Sequence, residues 1–276
     1  MRAFLHEMSA RAGAKLRAPR NRQFRTRLRH DPGGPLVVLS PHPDDAVLGC
    51  WSVLSGPRAV TVINVFARVP ASGPPGYFER LAGARDAAAH VRARLAEDRE
   101  ALDRAGRSAT NLGFAALSHR RWHPEPSFAR LDRALAAQLD GVACVIAPAA
   151  LGAAHPDHEL VLAYALAIGR QGIPVRLFAD LPYCAVYGWP AWVTGEQPDP
   201  HLDVDAYWRE SAGGPVCSPS RAEIVRLRGP QAAAKLAAMR AYRAEFAVLD
   251  RGPVGQLSNP AIHAYEVFWP ATNGTA

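Results

Sequence analysis

The sequence predicts an α/β protein of Rossmann-like, three-layer build, with a mostly parallel sheet and helices on both faces. Three observations predict it. Apolar runs rich in β-branched residues recur at Pro35–Ser40, Ala59–Phe66, Val142–Ala147 and Val175–Ala179, each of strand length. Segments of helical period lie between them, so strand and helix alternate. Two of the runs lead into short polar clusters, Pro41-His42-Pro43-Asp44-Asp45 and His155-Pro156-Asp157-His158, where helices begin. In open parallel sheets, ligands gather at such strand ends.

After the turn at Asp31-Pro32-Gly33-Gly34, the first strand leads into a helix over about Ala46–Leu54. Ala59–Phe66 follows as the second strand. The loop from Ala67 to Tyr77, with several Pro and Gly, reads as a wall beside the strand ends. Residues 78–105 read as one long helix, with Leu81, Ala84, Ala88, Val91, Leu95, Leu102 and Ala105 near a 3.6-residue period. Phe128, Leu131, Leu135 and Leu139 give a helix at Ser127–Leu139 one apolar face. The third strand and the 148–154 loop deliver His155 to a helix at Pro156–Gly169. Residues 184–220, dense in Trp, Pro and Gly, read as an irregular insertion. A short strand at Glu223–Leu227, an Ala-rich helix at Gln231–Phe246 and an edge strand at Ala264–Trp269 complete the chain. No internal repeat or low-complexity linker divides it. The expectation is one domain over 33–276 behind an extension over 1–32.

Nearly half of the 276 residues are hydrophobic, enough for one large core. The net charge of +7 is lodged at one end: residues 1–30 hold nine Arg or Lys against Glu7 alone. A basic arm can meet an anionic surface, but the rest of the chain has no such bias. The arm is read as solvated, and no nucleic-acid partner is expected. No run approaches the ~20 apolar residues of a membrane helix, and no apolar signal region follows Met1. Cys50, Cys144, Cys184 and Cys217 lack metal-site spacing and read as reduced thiols. A cytoplasmic location is the expectation; the oligomeric state is not legible.

Each polar cluster alone has a plain structural reading, since Asp44 or Asp45 could cap the helix it precedes. Together they offer more. A catalytic zinc takes three ligands from His, Asp and Glu and keeps a position for water. His42, Asp45 and His158 supply such a set, provided the two strands are neighbours. Asp44 is then left to accept a proton as general base, and a protonated His155 to steady an oxyanion and protonate a leaving amine. Asp157 is placed to orient a histidine.

Pro-His-Pro-Asp-Asp after the first strand, paired with His155-Pro156-Asp157-His158, resembles the PIG-L / LmbE-like zinc deacetylases. Arg94-x-x-Glu97-x-x-x-Ala101, Leu112-Gly113-Phe114 and Lys235 to Arg243 extend the resemblance over about residues 35–250. It implies hydrolysis of N-acetyl groups from N-acetylglucosamine-type sugars, with His42, Asp45 and His158 on zinc, Asp44 as base and His155 as the charged stabiliser. Fe2+ or Co2+ is an alternative ion. Two positions depart from the family pattern. Ala46 stands where a Glu is usual, and Ala153 stands where some sugar-thiol deacetylases carry Tyr.

The expected function is removal of an N-acetyl or other N-acyl group from an amino-sugar-containing small molecule, in a setting such as antibiotic metabolism. Arg68, Tyr183, Trp189 and His263 are the candidate substrate contacts, whereas Arg94 and Glu97 are read as a helix-surface pair. Two other readings stand beside this one. A two-His, one-carboxylate set also serves non-haem iron oxygenases, and a sugar-binding protein could keep the fold without catalysis.

Overall fold

The computed structural model describes residues 33–122, 126–152, 155–211, 217–250, 255 and 257–271. The basic arm and Ala153 lie outside them. The strands in chain order are β1 (Leu36–Ser40), β2 (Val60–Asn64), β3 (Ala109–Asn111), β4 (Cys144–Pro148), β5 (Val175–Phe178), β6 (Glu223–Arg226) and β7 (Tyr265–Pro270). They lie side by side as β3-β2-β1-β4-β5-β7-β6. β1 to β5 are parallel, and β7 runs antiparallel to both β5 and β6.

β1 is buried along its whole length. Its Leu-Val-Val-Leu run is continuous rather than alternating because both faces of a parallel sheet are covered. From β1 the chain steps outward to β2, whereas from β4 it steps the opposite way to β5. Right-handed crossovers in opposite directions put their helices on opposite faces. Strand order thus reverses between β1 and β4, which pair from Leu36 opposite Cys144 to Val38 opposite Ile146. The two polar clusters leave the sheet at this switch point.

The helices are α1 (Asp45–Leu54), α2 (Tyr77–Leu81), α3 (Ala87–Asp103), α4 (Phe128–Leu139), α5 (Pro156–Arg170), α6 (Ala191–Thr194), α7 (Val204–Ser211), α8 (Gly229–Met239), α9 (Arg243–Leu249) and α10 (Pro260–His263). Short 3-10 turns cover Leu117–Trp122, Tyr183–Ala185 and Pro219–Arg221.

Several expectations are corrected. The helix expected over 78–105 is two, broken where Gly83 takes φ 83° and Asp86 caps α3 by accepting from Ala89 N. The helix expected over Gln231–Phe246 is likewise two, α8 and α9. Ala264–Trp269 does not form the sheet edge: β7 lies inside the sheet, and β6 takes the edge. β3 is an addition, since three residues carry too little pattern to mark a strand. The 184–220 stretch is less irregular than expected, because α6 and α7 lie in it.

α1 is not continuous. Cys50 leaves helical geometry (φ −131°, ψ 23°), and the Glu266 carboxylate from β7 fills the break, accepting from Trp51 N at 2.7 Å and Ser52 N at 2.9 Å. Lys235 Nζ lies 2.8 Å from Glu266 Oε1, and neither side chain is exposed. The four cysteines are buried and free. Among the described residues no helix is long and apolar enough to cross a membrane.

Candidate metal centre

Two residues past β1, the chain turns sharply through His42 and Asp45 into α1. Ser40 organises this turn: its hydroxyl donates to His42 O at 2.6 Å and accepts from Ala46 N at 3.1 Å. The serine thus does the capping that the sequence suggests for the aspartates. Asp45 Oδ2 accepts from His42 N at 2.8 Å, which brings its carboxylate back over the loop. Asp44 occupies the N-cap position without a side-chain cap bond, at φ 153° and ψ −35°.

The second cluster opens α5. His155 is the N-cap, its Nδ1 accepting from Asp157 N at 3.3 Å, and Pro156 suits the first helical position. Because β1 and β4 are neighbours, the imidazoles of His42, His155 and His158 meet, with ring centroids 4.9–5.4 Å apart. His42, Asp45 and His158 each offer a ligand atom within 4.8 Å of the others. A second such group, His42, His155 and Asp157, overlaps it.

Hydrogen bonding separates the two groups. His42 Nε2 donates to Asp157 Oδ2 at 2.9 Å, and His158 Nδ1 donates to Asp180 Oδ1 at 2.7 Å. Each carboxylate fixes its histidine's proton on the far nitrogen, leaving the lone pair of the near one inward. His42 Nδ1 then lies 3.6 Å and His158 Nε2 3.5 Å from Asp45 Oδ2. Among the described residues, the buried His158 Nε2 has no hydrogen-bond partner. Two imidazole lone pairs thus face a carboxylate oxygen, an arrangement a cation resolves. Asp157 is committed elsewhere: it also accepts from Leu117 N at 3.0 Å and pairs with Arg120. The first group fits a metal and the second supports it.

Electrostatics sort the remaining groups. Burial acts against the Asp45 carboxylate, but His158 and His42 outweigh it and pull it down to about 2. Burial pushes Asp44 up to about 7 against the pull of Arg94, whose Nη2 lies 3.2 Å from Asp44 Oδ2. Burial, with His42 and His158 beside it, presses His155 down to about 3. Its Nδ1 accepts from Asp157 N, so a neutral ring here carries its proton on Nε2.

The centre opens into a cleft of about 410 Å³, lined by His42, Asp44, His155, Tyr183, Arg94, Glu245 and by Tyr77, Phe78 and Glu79 of α2, among others. Tyr183 lies 5.4 Å from His158 and 6.0 Å from His155, ring to ring. The other candidate contacts do not line this cleft. Arg68 is exposed, its backbone N donating to Phe114 O. Trp189 is buried, donates to Ile262 O at 2.7 Å and stacks on Trp208. His263 is buried at the end of α10.

Asp180 and Glu245 join the site without a motif to announce them, and Arg94 joins it from a motif read as a helix-surface pair. Asp180 lies two residues past β5, the one signal that could have found it. Arg94 does not pair with Glu97 along the helix as its spacing suggests; it reaches Asp44, while Glu97 accepts from Ala244 N at 3.0 Å.

A mostly parallel seven-stranded sheet carrying this His/Asp cluster at its switch point is the α/β fold of LmbE-type deacetylases, and the resemblance drawn from the motifs is borne out. The chain is 34% identical to 2'-N-acetylparomamine deacetylase of Streptomyces fradiae over 179 residues, 59% of this chain and 61% of that protein's length. It is 26% identical to the zinc-inhibited form of the teicoplanin deacetylase Orf2, with a TM-score of 0.64 over 87% of this chain and 99% of that one. The A40926 pseudoaglycone deacetylase is 27% identical, with a TM-score of 0.63 over 87% and 98%. No protein-family model matches the chain.

Proposed function

We propose that the protein is a zinc-dependent N-deacetylase of N-acylated amino sugars carried on a larger small-molecule scaffold, as in antibiotic intermediates. One observation carries the reading. Two histidines, each backed by its own carboxylate, face Asp45 at the switch point, with a further carboxylate, Asp44, at their side. The relatives' deacetylase activities agree with it. The iron-oxygenase alternative is not favoured, since the relatives are hydrolases. Retention of both Asp44 and His155 in the cleft speaks against a binding protein that has lost catalysis.

His42, Asp45 and His158 would hold the zinc, which when bound polarises an amide carbonyl and acidifies water. Asp44 takes a proton from the attacking water as its oxygen bonds to the carbonyl carbon. The neutral His155 presents its Nε2–H to the charge that develops on the carbonyl oxygen. The C–N bond then breaks, the proton passes to nitrogen, and the products are the free amine and a carboxylate. Asp157 and Asp180 keep both histidines in the tautomer that leaves their lone pairs inward.

Metal analysis together with amine release from N-acetylglucosamine and its glycosides tests the reading. About one zinc per chain is expected, with Asp44→Asn retaining the ion and losing more than ~10³-fold in kcat, of the order general-base removal brings. Bound zinc with no amine released from any glycoside would remove the sugar assignment. A protein that binds no metal would remove the mechanism.

A further inference from the structure

We propose that Arg94 is a positioning residue for Asp44, and that Glu245 and His90 hold Arg94 in turn. This rests on the deacetylase reading above, in which Asp44 is the base.

The Asp44 backbone is where the constraint begins. At φ 153° it sits where L-residues are strained, at a cost of order 1–3 kcal/mol, and such geometry persists only where its surroundings over-determine it. The main chain is held on one side, because Asp44 O accepts from Val47 N and Leu48 N, both at 3.0 Å. The side chain is held on the other. It makes no cap bond, and its partner is Arg94 Nη2 from α3, fifty residues on. Adjacent carboxylates are thereby separated: Asp45 turns to the histidines and Asp44 to the guanidinium.

Arg94 is itself braced. Its Nε lies 3.7 Å from Glu245 Oε1, and the same oxygen lies 2.5 Å from His90 Nε2, one helical turn before Arg94. Glu245 belongs to α9, which α3 grips beside it: Glu97 accepts from Ala244 N at 3.0 Å, and Asp98 accepts from Tyr242 Oη at 2.8 Å. The face that α3 turns inward at 90, 94, 97 and 98 is therefore a polar dock for α9. Arg94 is its end nearest the metal centre. A planar guanidinium held between two carboxylates fixes direction as well as charge, which a lysine ammonium does not.

Arg94→Gln, Arg94→Lys and Glu245→Gln test the brace. Each should retain zinc as in the wild type. Misplacing a reacting group by ~1 Å costs ~10²-fold, so kcat should fall ~10²-fold in Arg94→Gln and ~10-fold in both Arg94→Lys and Glu245→Gln. KM should stay within ~2-fold in all three, because the effect runs through Asp44. A crystal structure of Arg94→Gln should find the Asp44 carboxylate turned from its present place. A KM that rises at constant kcat would make Arg94 a substrate contact and overturn the proposal, as would an unmoved Asp44 in the variant crystal. Should the wild type release no amine from any glycoside, the deacetylase reading falls, and the variant crystal still decides the brace.

Discussion

Asp180 Oδ1 lies 2.7 Å from His158 Nδ1, so a carboxylate at the end of β5 sets the tautomer of a histidine on α5. Asp180 is buried and also accepts from Leu151 N at 3.0 Å, which ties the loop after β4 to the same group. Carboxylates behind metal-binding histidines are worth ~10–100-fold in metal affinity. Asp180→Ala is therefore expected to weaken zinc binding by that factor, read by competition with a chromogenic chelator. Asp157→Ala should act alike through His42. Unchanged affinity in both variants would mean that these carboxylates do not serve a metal.

Stability should depend on the pair that splices α1. Lys235 and Glu266 are wholly buried, and Glu266 also receives two backbone donors at the Cys50 break. Removing one partner of a buried pair leaves an uncompensated charge and costs ~3–5 kcal/mol. Lys235→Met should lower the unfolding free energy by about that much in urea titration. Lys235→Met/Glu266→Gln should lose less than the sum of the singles, because the pair shares one interaction. Strict additivity would show that the two groups do not depend on each other.

The legibility of the fold and site follows from where the information sits. His42, Asp44 and Asp45 are close in sequence, as are His155, Asp157 and His158, and each cluster follows a strong strand, so their meeting is readable from sequence. β1 and β4 are legible because an unbroken run of four or five apolar residues between polar turns fits a strand covered on both faces. Asp180 and Arg94 act through partners 22 and 50 residues away, and no local pattern marks such pairs. α3 misleads because its apolar spacing suggests an apolar inner face, whereas His90, Glu97 and Asp98 are buried along with Ala101 and Leu102. Buried polar residues are the exception, and here they hold Tyr242, Ala244 and Glu245 against α3. The break at Gly83 and Asp86 is present in the sequence as a glycine followed by a capping residue, but the flanking helical period obscures it.

The mouth of the cleft carries a pH-dependent tie. Glu79 on α2 lies 2.6 Å from His119 Nε2 and accepts from Gly76 N at 2.7 Å, joining α2 to the 117–122 turn. Burial acts against the Glu79 carboxylate, but His119 and the Gly76 amide outweigh it and hold it below its usual range. A depressed carboxylate adds stability that is full above its unfolded value of ~4.3 and is lost as pH falls through the lower folded one. Local opening of residues 73–83 should therefore rise below about pH 4, read by hydrogen exchange quenched from a pH series. In Glu79→Gln the segment should be looser at pH 7 and flat with pH. An unchanged acid limb in that variant would place the titrating group elsewhere.

Tyr77 and Phe78 stand on α2 beside the cleft, each 63% exposed, with ring centroids 5.3 Å apart. Leu117, at 47% exposure, lines the same cleft. Exposed apolar clusters beside a cleft mark contact surfaces, whereas the carboxylates within it are already paired: Asp44 with Arg94, Glu79 with His119, Asp157 with His42, Glu245 with His90. Under the proposed function, an apolar or aromatic scaffold on the amino sugar would meet complementary surface, while a polycationic one would find those carboxylates taken. Tyr77→Ser/Phe78→Ser is expected to raise KM ~10-fold for an aryl N-acetylglucosaminide, about the worth of one aromatic contact. KM for N-acetylglucosamine itself, which lacks the aryl group, should hold. Steady-state kinetics on the two substrates decide the point: an equal rise in both would assign the rim to the shape of the cleft, and no rise in either would release it from substrate binding.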